Sequence, residues 1–520
     1  MKNRAVFTAL FFLIVLAAIL VRGARLDLRP MHHDEANQAV KFGLLLERGE
    51  YTYDLKDHHG PTLYYFTLPL AWISSGASFE NLSETTLRLV PVLFGIGILL
   101  MLLVFKDGLG KTDKIFAGII YAFSPVMVFF SRFFIQEMLL LFFMVGALAS
   151  GWRYYCKPSS SWALVTGLFI GLMYATKETC VILFGSMAGA LILIFFTDRR
   201  NFIKKEGAPP FSFRHFLLFM GAAMAVAFIF YSSFFENLPG PIDSLLAYQN
   251  YFDRAGSGGI HSHPWSYYLH MLAFFRSQPG PYWSEFFIIA LALIGGAAGF
   301  LANQNKSKSI LLNRFILFFT LISLAVYSAI SYKTPWNLLP FHFGFILLSG
   351  MGAAFLIGLS KRLWVKTAVV LLLLLGMIHL GIQCCRANFV YYADPRNPYV
   401  YSQTTNDFLN LVQRVQDLSF IHPEGKNMFI KVVAAPTEYW PLPWYLRGFN
   451  QVGYWEDVKS AFDYPEAPIL ISSMDYAEEI ESRLGDRFVS EYYGLRPGVL
   501  LSLYIDKDLW DEFIKTRTAK

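Results

Sequence analysis

Asp34 and Glu35 stand directly behind two imidazoles in the run Met31-His32-His33-Asp34-Glu35-Ala36-Asn37-Gln38-Ala39. Two carboxylates beside two histidines offer a general base for a hydroxyl or amine, and ligands for a divalent ion. The same acids also suit the first turn of a helix, where its dipole favours negative charge. A second run, Asp57-His58-His59-Gly60-Pro61-Thr62-Leu63-Tyr64-Tyr65, places two more imidazoles before a Gly-Pro turn. The apolar, aromatic stretch 61–74 that follows is short for a full membrane span. It fits a helix lying in the interface with its tyrosines at headgroup level, so chemistry placed there would meet a lipid headgroup.

Three lone cations form a third set: Arg132 in Phe130-Ser131-Arg132-Phe133, Lys177 in Ala175-Thr176-Lys177-Glu178-Thr179, and Lys333 in Ser331-Tyr332-Lys333-Thr334-Pro335-Trp336. Each reads either as an interface anchor or as part of a phosphate clamp. The clamp reading carries weight because two unit charges 4 Å apart attract by ~4 kcal/mol at an effective dielectric of ~20, before desolvation. Glu137 and Glu178 lie at the edges of apolar runs and would be costly against lipid, so they are expected to face a polar cavity. The loop 236–285 holds Asp243, Tyr248, Tyr251, Asp253, Arg254, His261, His263, Trp265 and Glu285, with a hinge-like Gly256-Ser257-Gly258-Gly259. It lacks the Gly-Lys-Ser/Thr of a phosphate-cradling loop.

The elements that must position these groups follow from composition. The chain of 520 residues is 55% hydrophobic and only 16% charged, against about 25% charged in soluble proteins. That excludes a disordered chain, a coiled coil and an ordinary cytosolic enzyme. Residues 1–385 hold 30 Lys/Arg and 19 Asp/Glu, or +11; residues 386–520 hold 14 and 19, or −5, which together give the +6 of the whole chain. A membrane part followed by a water-soluble part explains the split, and a nucleic-acid partner does not. Eleven charge-free apolar runs recur, at 5–21, 89–105, 115–131, 138–152, 158–176, 179–197, 216–235, 286–305, 315–332, 334–360 and 367–385. Each must be helical to satisfy its backbone in lipid. The first is read as a helix and not a cleaved leader. Lys and Arg crowd every second short loop, while the alternate short loops carry one each: Arg132, Lys177 or Lys333. This bias puts the amino terminus in the cytoplasm and residues 386–520, with the long loops 22–85 and 236–285, outside the cell membrane.

The expected fold class is therefore an α-helical polytopic membrane protein of about eleven transmembrane helices (1–385), followed by an extracytoplasmic, soluble α/β domain (386–520). In that tail, Asn406–Leu418 has helical spacing with Thr405 as N-cap. Met428–Ala434, Pro468–Ser472, Phe488–Tyr493 and Val499–Ile505 read as strands, and Asp475–Leu484 and Asp508–Lys515 as helices. The aromatic run Tyr439-Trp440-Pro441-Leu442-Pro443-Trp444-Tyr445 offers flat faces for a sugar or for a core.

An acidic pair in the first outer loop, followed by the His58-His59-Gly60-Pro61 turn into an interfacial helix, resembles the GT-C membrane glycosyltransferases. The resemblance is to the protein O-mannosyltransferases and the lipid A aminoarabinose transferase, and it covers roughly 1–385. The runs around Lys177 and Lys333 and the Trp440–Arg447 run are similar to a branch found in bacteria and archaea, one of whose archaeal members is associated with flipping lipid-linked sugars. The Trp-Trp-Asp signature of oligosaccharyltransferases is absent, and the tail is not a β-rich domain. The resemblance implies a sugar donor on a polyprenyl phosphate, loaded from the membrane lipid, and inverting transfer to an acceptor that is a glycan, lipid or protein. It implies Asp34 and Glu35 as the catalytic pair, with His58, His59, Arg132, Glu137, Lys177, Glu178 and Lys333 binding substrate. Asp34 is the expected base. A divalent metal ion, the one cofactor in view, would fall to Glu35 and His59. The alternatives are a flippase or flippase partner without transferase chemistry, and a scaffold acting through its tail. The charge-free spans argue against a transporter, which keeps ionisable residues at mid-membrane.

Overall fold

The computed structural model describes residues 2–55, 59–197, 212–256, 261–302 and 308–518. Helices come first, in the order α1 (Lys2–Gly23), α2 (His33–Arg48), α3 (Thr62–Ser75), α4 (Glu84–Met101), α5 (Lys111–Phe123), α6 (Pro125–Ser131), α7 (Glu137–Cys156), α8 (Ser160–Tyr174), α9 (Cys180–Thr197), α10 (Phe213–Tyr231), α11 (Gly240–Gly256), α12 (Tyr267–Ala273), α13 (Phe286–Leu301), α14 (Lys308–Ala329), α15 (Leu339–Gly358) and α16 (Leu363–Cys385). Among the described residues eight helical segments are long and apolar enough to cross a bilayer: α1, α4, α7, α9, α10, α14, α15 with the turn before it, and α16. This is a multi-span membrane protein. Each of the eleven apolar runs falls on one of these helices, but three do so differently from a simple span. α8 and α13 are shorter, at 15 and 16 residues. α5 and α6 together make one broken span, bent by 63°.

The break has a local cause. Pro125 has no N–H to give and cannot continue α5. Backbone groups freed inside an apolar bundle must find partners. Here Glu285 supplies them, accepting from Val126 N (3.0 Å) and Ser124 Oγ (2.5 Å). Tyr399 OH (2.6 Å) also donates to the same carboxylate, and His342 Nε2 lies 3.0 Å from it. One fully buried acid thus ties the broken span, α13, α15 and the start of the tail together. Small residues bring other helices close: a Cβ on Gly295 of α13 would stand 2.0 Å from the Leu348 carbonyl of α15.

The tail forms a five-stranded sheet of β1 (Ile430–Val433), β2 (Val452–Trp455), β3 (Ile469–Ser473), β4 (Phe488–Arg496) and β5 (Val499–Asp506), in the order β2-β1-β3-β5-β4. β2, β1 and β3 run parallel, and β5 and β4 are antiparallel additions. Alternation sends Ile430 and Val432 to one face, where α17 (Asn406–Ser419) and the last helix, Lys507–Thr518, cover them. Val433 and Leu470 point to the other face, under Val458–Phe462 and Ala477–Leu484. Thr405 caps α17, accepting from Phe408 N at 3.3 Å. The sequence reading finds four of the five strands. It misses β2, a four-residue edge strand with Gly453 inside it, which carries little strand signal of its own.

Candidate active site

A cavity of about 400 Å³ opens among α2, the α6–α7 turn, the α8–α9 connection, α11 and the segment 327–337. Asp34, His59, Glu137, Lys177 and Glu178 all line it, with Gln38, Gln136, Tyr248, Tyr332 and Trp336. Residues separated by about 300 positions therefore share one hollow lined by both polar and apolar groups.

The first turn of α2 divides two neighbouring carboxylates. His32 caps the helix: its Nδ1 accepts from Asp34 N (3.0 Å), and its own N–H donates to Glu35 Oε2 (3.1 Å). Ala36, Ala39 and Phe42 follow on the buried face, and Gly49 ends the helix in the left-handed conformation with its N–H on Leu45 O. Asp34 lands on the cavity side, its side chain 40% exposed and its carboxylate 3.7 Å from His32 Nδ1. Glu35 turns inward and is fully buried. Arg88 of α4 grips it with two bonds of 2.8 and 2.6 Å, and Phe134 N donates at 2.9 Å. Burial pushes the Glu35 carboxyl up, but Arg88, Arg29 and these hydrogen bonds outweigh burial and hold it at about 2. Arg88 in turn donates to the carbonyls of Leu26 and Arg29 (both 2.7 Å), so the pair also fixes the chain leading into α2.

The tail holds the same segment from the other side. Met31 N donates to Tyr445 OH (2.9 Å), Thr404 Oγ1 to Met31 O (2.7 Å) and Gln403 Nε2 to Pro30 O (2.8 Å). Trp444, buried at 0% exposure, donates to Glu84 at 2.8 Å.

The second wall is built by the Gly60-Pro61 turn. A Cβ at Gly60 would stand 2.2 Å from Ala175 O, so only glycine lets the two loops touch. Thr62 then donates to Ala175 O (N–H, 3.3 Å) and to Thr176 Oγ1 (hydroxyl, 2.8 Å). This contact sets His59 Nδ1 2.9 Å from Glu178 Oε2, and Tyr53 OH donates to Glu178 Oε1 at 2.9 Å. Next to it the Lys177 ammonium donates to Glu137 Oε1, both side chains being 6% exposed. Gln136 donates to Gln38 (2.9 Å) behind them. The cavity is thus lined by one partly exposed carboxylate and by a buried cation whose counter-charge is another cavity residue.

Three expected site residues lie elsewhere, each for a visible reason. Glu35 is enclosed by Arg88 and is not in the lining, which separates it from His59 as a joint metal site. Arg132 is absorbed by backbone: it donates to the carbonyls of Val21 (3.1 Å), Arg22 (3.2 Å), Ala24 (2.6 Å) and Arg25 (3.0 Å) and lies 4.7 Å over the Phe389 ring. Lys333, 1% exposed, donates to His263 O (3.0 Å) and to Ile330 O. His58 and the Ser257–Gly259 hinge fall outside the described residues. Among the described residues no group of three or more His, Cys, Asp or Glu is arranged to hold a metal ion. The sequence reading names Glu285 in the loop 236–285 but neither its partner His342 nor Arg88. Both sit at or within apolar runs, and only their partners reveal them.

This bundle with a small α/β tail has the fold of the GT-C membrane glycosyltransferases. The family model for dolichyl-phosphate-mannose-protein mannosyltransferase matches residues 67–231, a stretch that includes Glu137, Lys177 and Glu178. Similar solved structures include ArnT from Cupriavidus metallidurans bound to undecaprenyl phosphate (TM-score 0.59, 15% identity, covering 95% of this chain and 97% of that one). Archaeal oligosaccharyltransferase AglB from Archaeoglobus fulgidus, in complex with an inhibitory peptide and a dolichol-phosphate, is also similar (TM-score 0.57, 13% identity, 98% of this chain and 75% of that one). A comparison with curated proteins gives no match.

Proposed function

We propose that this chain is an integral-membrane glycosyltransferase that moves a sugar from a polyprenyl-phosphate donor to an acceptor on the extracytoplasmic side of the cell membrane. The observation that carries the reading is the shared cavity, with the exposed Asp34 carboxylate and the buried Lys177–Glu137 pair on its walls. The polyprenyl phosphates held by ArnT and AglB support the donor class. The bias of Lys and Arg supports the orientation, with the amino terminus in the cytoplasm and the α/β domain of 386–520 outside.

In the proposed reaction the lipid tail enters sideways between helices and its phosphate reaches Lys177. The acceptor oxygen or nitrogen attacks the anomeric carbon on the face away from the phosphate. A bond forms there as the bond from that carbon to the phosphate oxygen breaks, so the configuration inverts. The electron pair leaves with the polyprenyl phosphate, whose charge Lys177 meets. The acceptor proton passes to Asp34. General-base help of this kind is worth about 10²–10⁴-fold, and positioning supplies more. Glu137 and Glu178 hold Lys177 and His59 in place.

The test is transfer from a labelled polyprenyl-phosphate sugar by the purified protein in lipid, in the presence of membrane extract as acceptor source. Wild-type protein is expected to label an acceptor and Asp34→Asn to lose that labelling. Full labelling by Asp34→Asn removes Asp34 from the mechanism.

A further inference from the structure

Resting on that reading, we infer that the acceptor is an uncharged saccharide, laid against a wall of aromatic rings that joins the cavity to the C-terminal domain beside Asp34. Four distant parts of the chain build this wall. His33 of α2 faces Trp440 of the tail, ring centroids 6.1 Å apart. His261 packs on Tyr332 at 4.7 Å and on Tyr401 at 5.7 Å. Tyr401 meets Trp336 edge-on at 6.0 Å. His33, Tyr332 and Trp336 are also cavity-lining residues, so the wall is continuous with the hollow that holds Asp34 and Lys177.

The rings differ in exposure: Trp336 is buried in the core, and the others are half-buried. In the tail's aromatic run Trp444 is buried in the core and donates to Glu84, whereas Trp440 remains half-buried at the His33 edge. His33, His261, Tyr332 and Tyr401 are half-buried too. The two tryptophans of one short motif therefore divide between a structural task and a half-buried place at the cavity's edge.

Their chemistry suits a polyol. A pyranose offers flat patches of C–H bonds and a rim of hydroxyls. Tyrosine, tryptophan and histidine offer flat apolar bodies and polar edges. Tyr332, Tyr401, Trp336 and Trp440 carry no charge near neutral pH. Burial lowers His261 below the ordinary imidazole range and raises Tyr401 to about 12, with Asp34 the charged neighbour of both. The ammonium of Lys333, close by in sequence, is spent on backbone carbonyls. An acidic or phosphorylated headgroup finds little to recognise here. A hydroxyl of a sugar resting on these rings meets Asp34, the proposed base.

Binding is measured without donor, so the result is independent of the transferase reading. Full-length protein in lipid nanodiscs is probed by saturation-transfer NMR against neutral gluco-, manno- and galacto-oligosaccharides, and against peptides rich in serine and threonine. At least one oligosaccharide is expected to bind. Trp440→Leu is expected to weaken it about tenfold, while Trp440→Phe keeps most of the affinity. Melting temperature checks that the variants fold, and His33→Leu reads the same wall if Trp440→Leu does not. Binding of the peptides in place of the sugars, sugar affinity unchanged by these substitutions, or no sugar bound at all overturns the inference. If sugars bind as expected while Asp34→Asn still transfers at full rate, the acceptor wall stands and the catalytic reading falls.

Discussion

The cavity and the buried clamp behind it use the same residue types to opposite ends. Asp34 and Glu35 are one residue apart, and a helix turns about 100° per residue, so one carboxylate reaches the hollow and the other enters the core. Glu35 meets Arg88, Arg29 and two backbone N–H groups, and every one of those partners belongs to the protein. Asp34 keeps a 40%-exposed side chain. The cations divide likewise. Arg132 and Lys333 are satisfied by carbonyls, which no ligand displaces cheaply. Lys177 is satisfied by a side chain that lines the same cavity. A charge whose partners are all fixed holds the fold, while a charge facing a cavity can act on something that enters it.

That contrast breaks first at the acids. Asp34→Asn is expected to lower transfer about 10²–10⁴-fold with a melting temperature close to wild type, because an exposed isosteric change costs little stability. Unequal effects on rate and melting are the mark of the cavity side. Arg88→Met should do the reverse, destabilising by about 3–5 kcal/mol by stranding a buried carboxylate. The double variant Arg88→Met, Glu35→Gln should recover part of that loss in thermal melts, and an additive result would uncouple the pair.

Acid sharpens the same difference. Glu35 titrates at about 2 in the fold against an ordinary value of 4.5. Its contribution, on the order of 3 kcal/mol, is fully present above pH 4.5 and is lost as the pH falls toward 2. Wild-type melting should drop across that window, and Arg88→Met should show a shallower slope there. Lys177→Met is expected to raise the KM for the donor about tenfold or more, with kcat less affected, when initial rates are measured against donor concentration. Gly60→Ala acts on both sides of the comparison at once. Its methyl must push the 175–176 backbone away, and the expected result is a several-fold fall in transfer together with a clear drop in melting temperature.

Much of this was legible in the sequence because hydropathy is a local signal. Each of the eleven apolar runs carries a helix among the described residues, since lipid leaves the backbone little other choice. The Asp34 and His59 runs and the 175–179 motif stand out as polar residues at helix ends. Partnership is not local. Nothing near Arg88 announces that Glu35 will take it up, and nothing in the α15 run announces that His342 meets Glu285. Arg132 and Lys333 have the same sequence context as Lys177. Only the path of the backbone, which brings carbonyls to the first two and Glu137 to the third, separates them. The break at Pro125 has a local cause, but what satisfies it does not, as the Val126 N–H and the Ser124 hydroxyl are met by an acid about 160 positions away.

The most direct test of the account is the structure of the protein bound to a non-transferable polyprenyl-phosphate sugar in lipid. The account predicts the phosphate in hydrogen-bond contact with Lys177 Nζ and the sugar's anomeric carbon facing the side of the cavity that carries Asp34. A phosphate held instead at Arg132 or Lys333, with the cavity left to water, would contradict it.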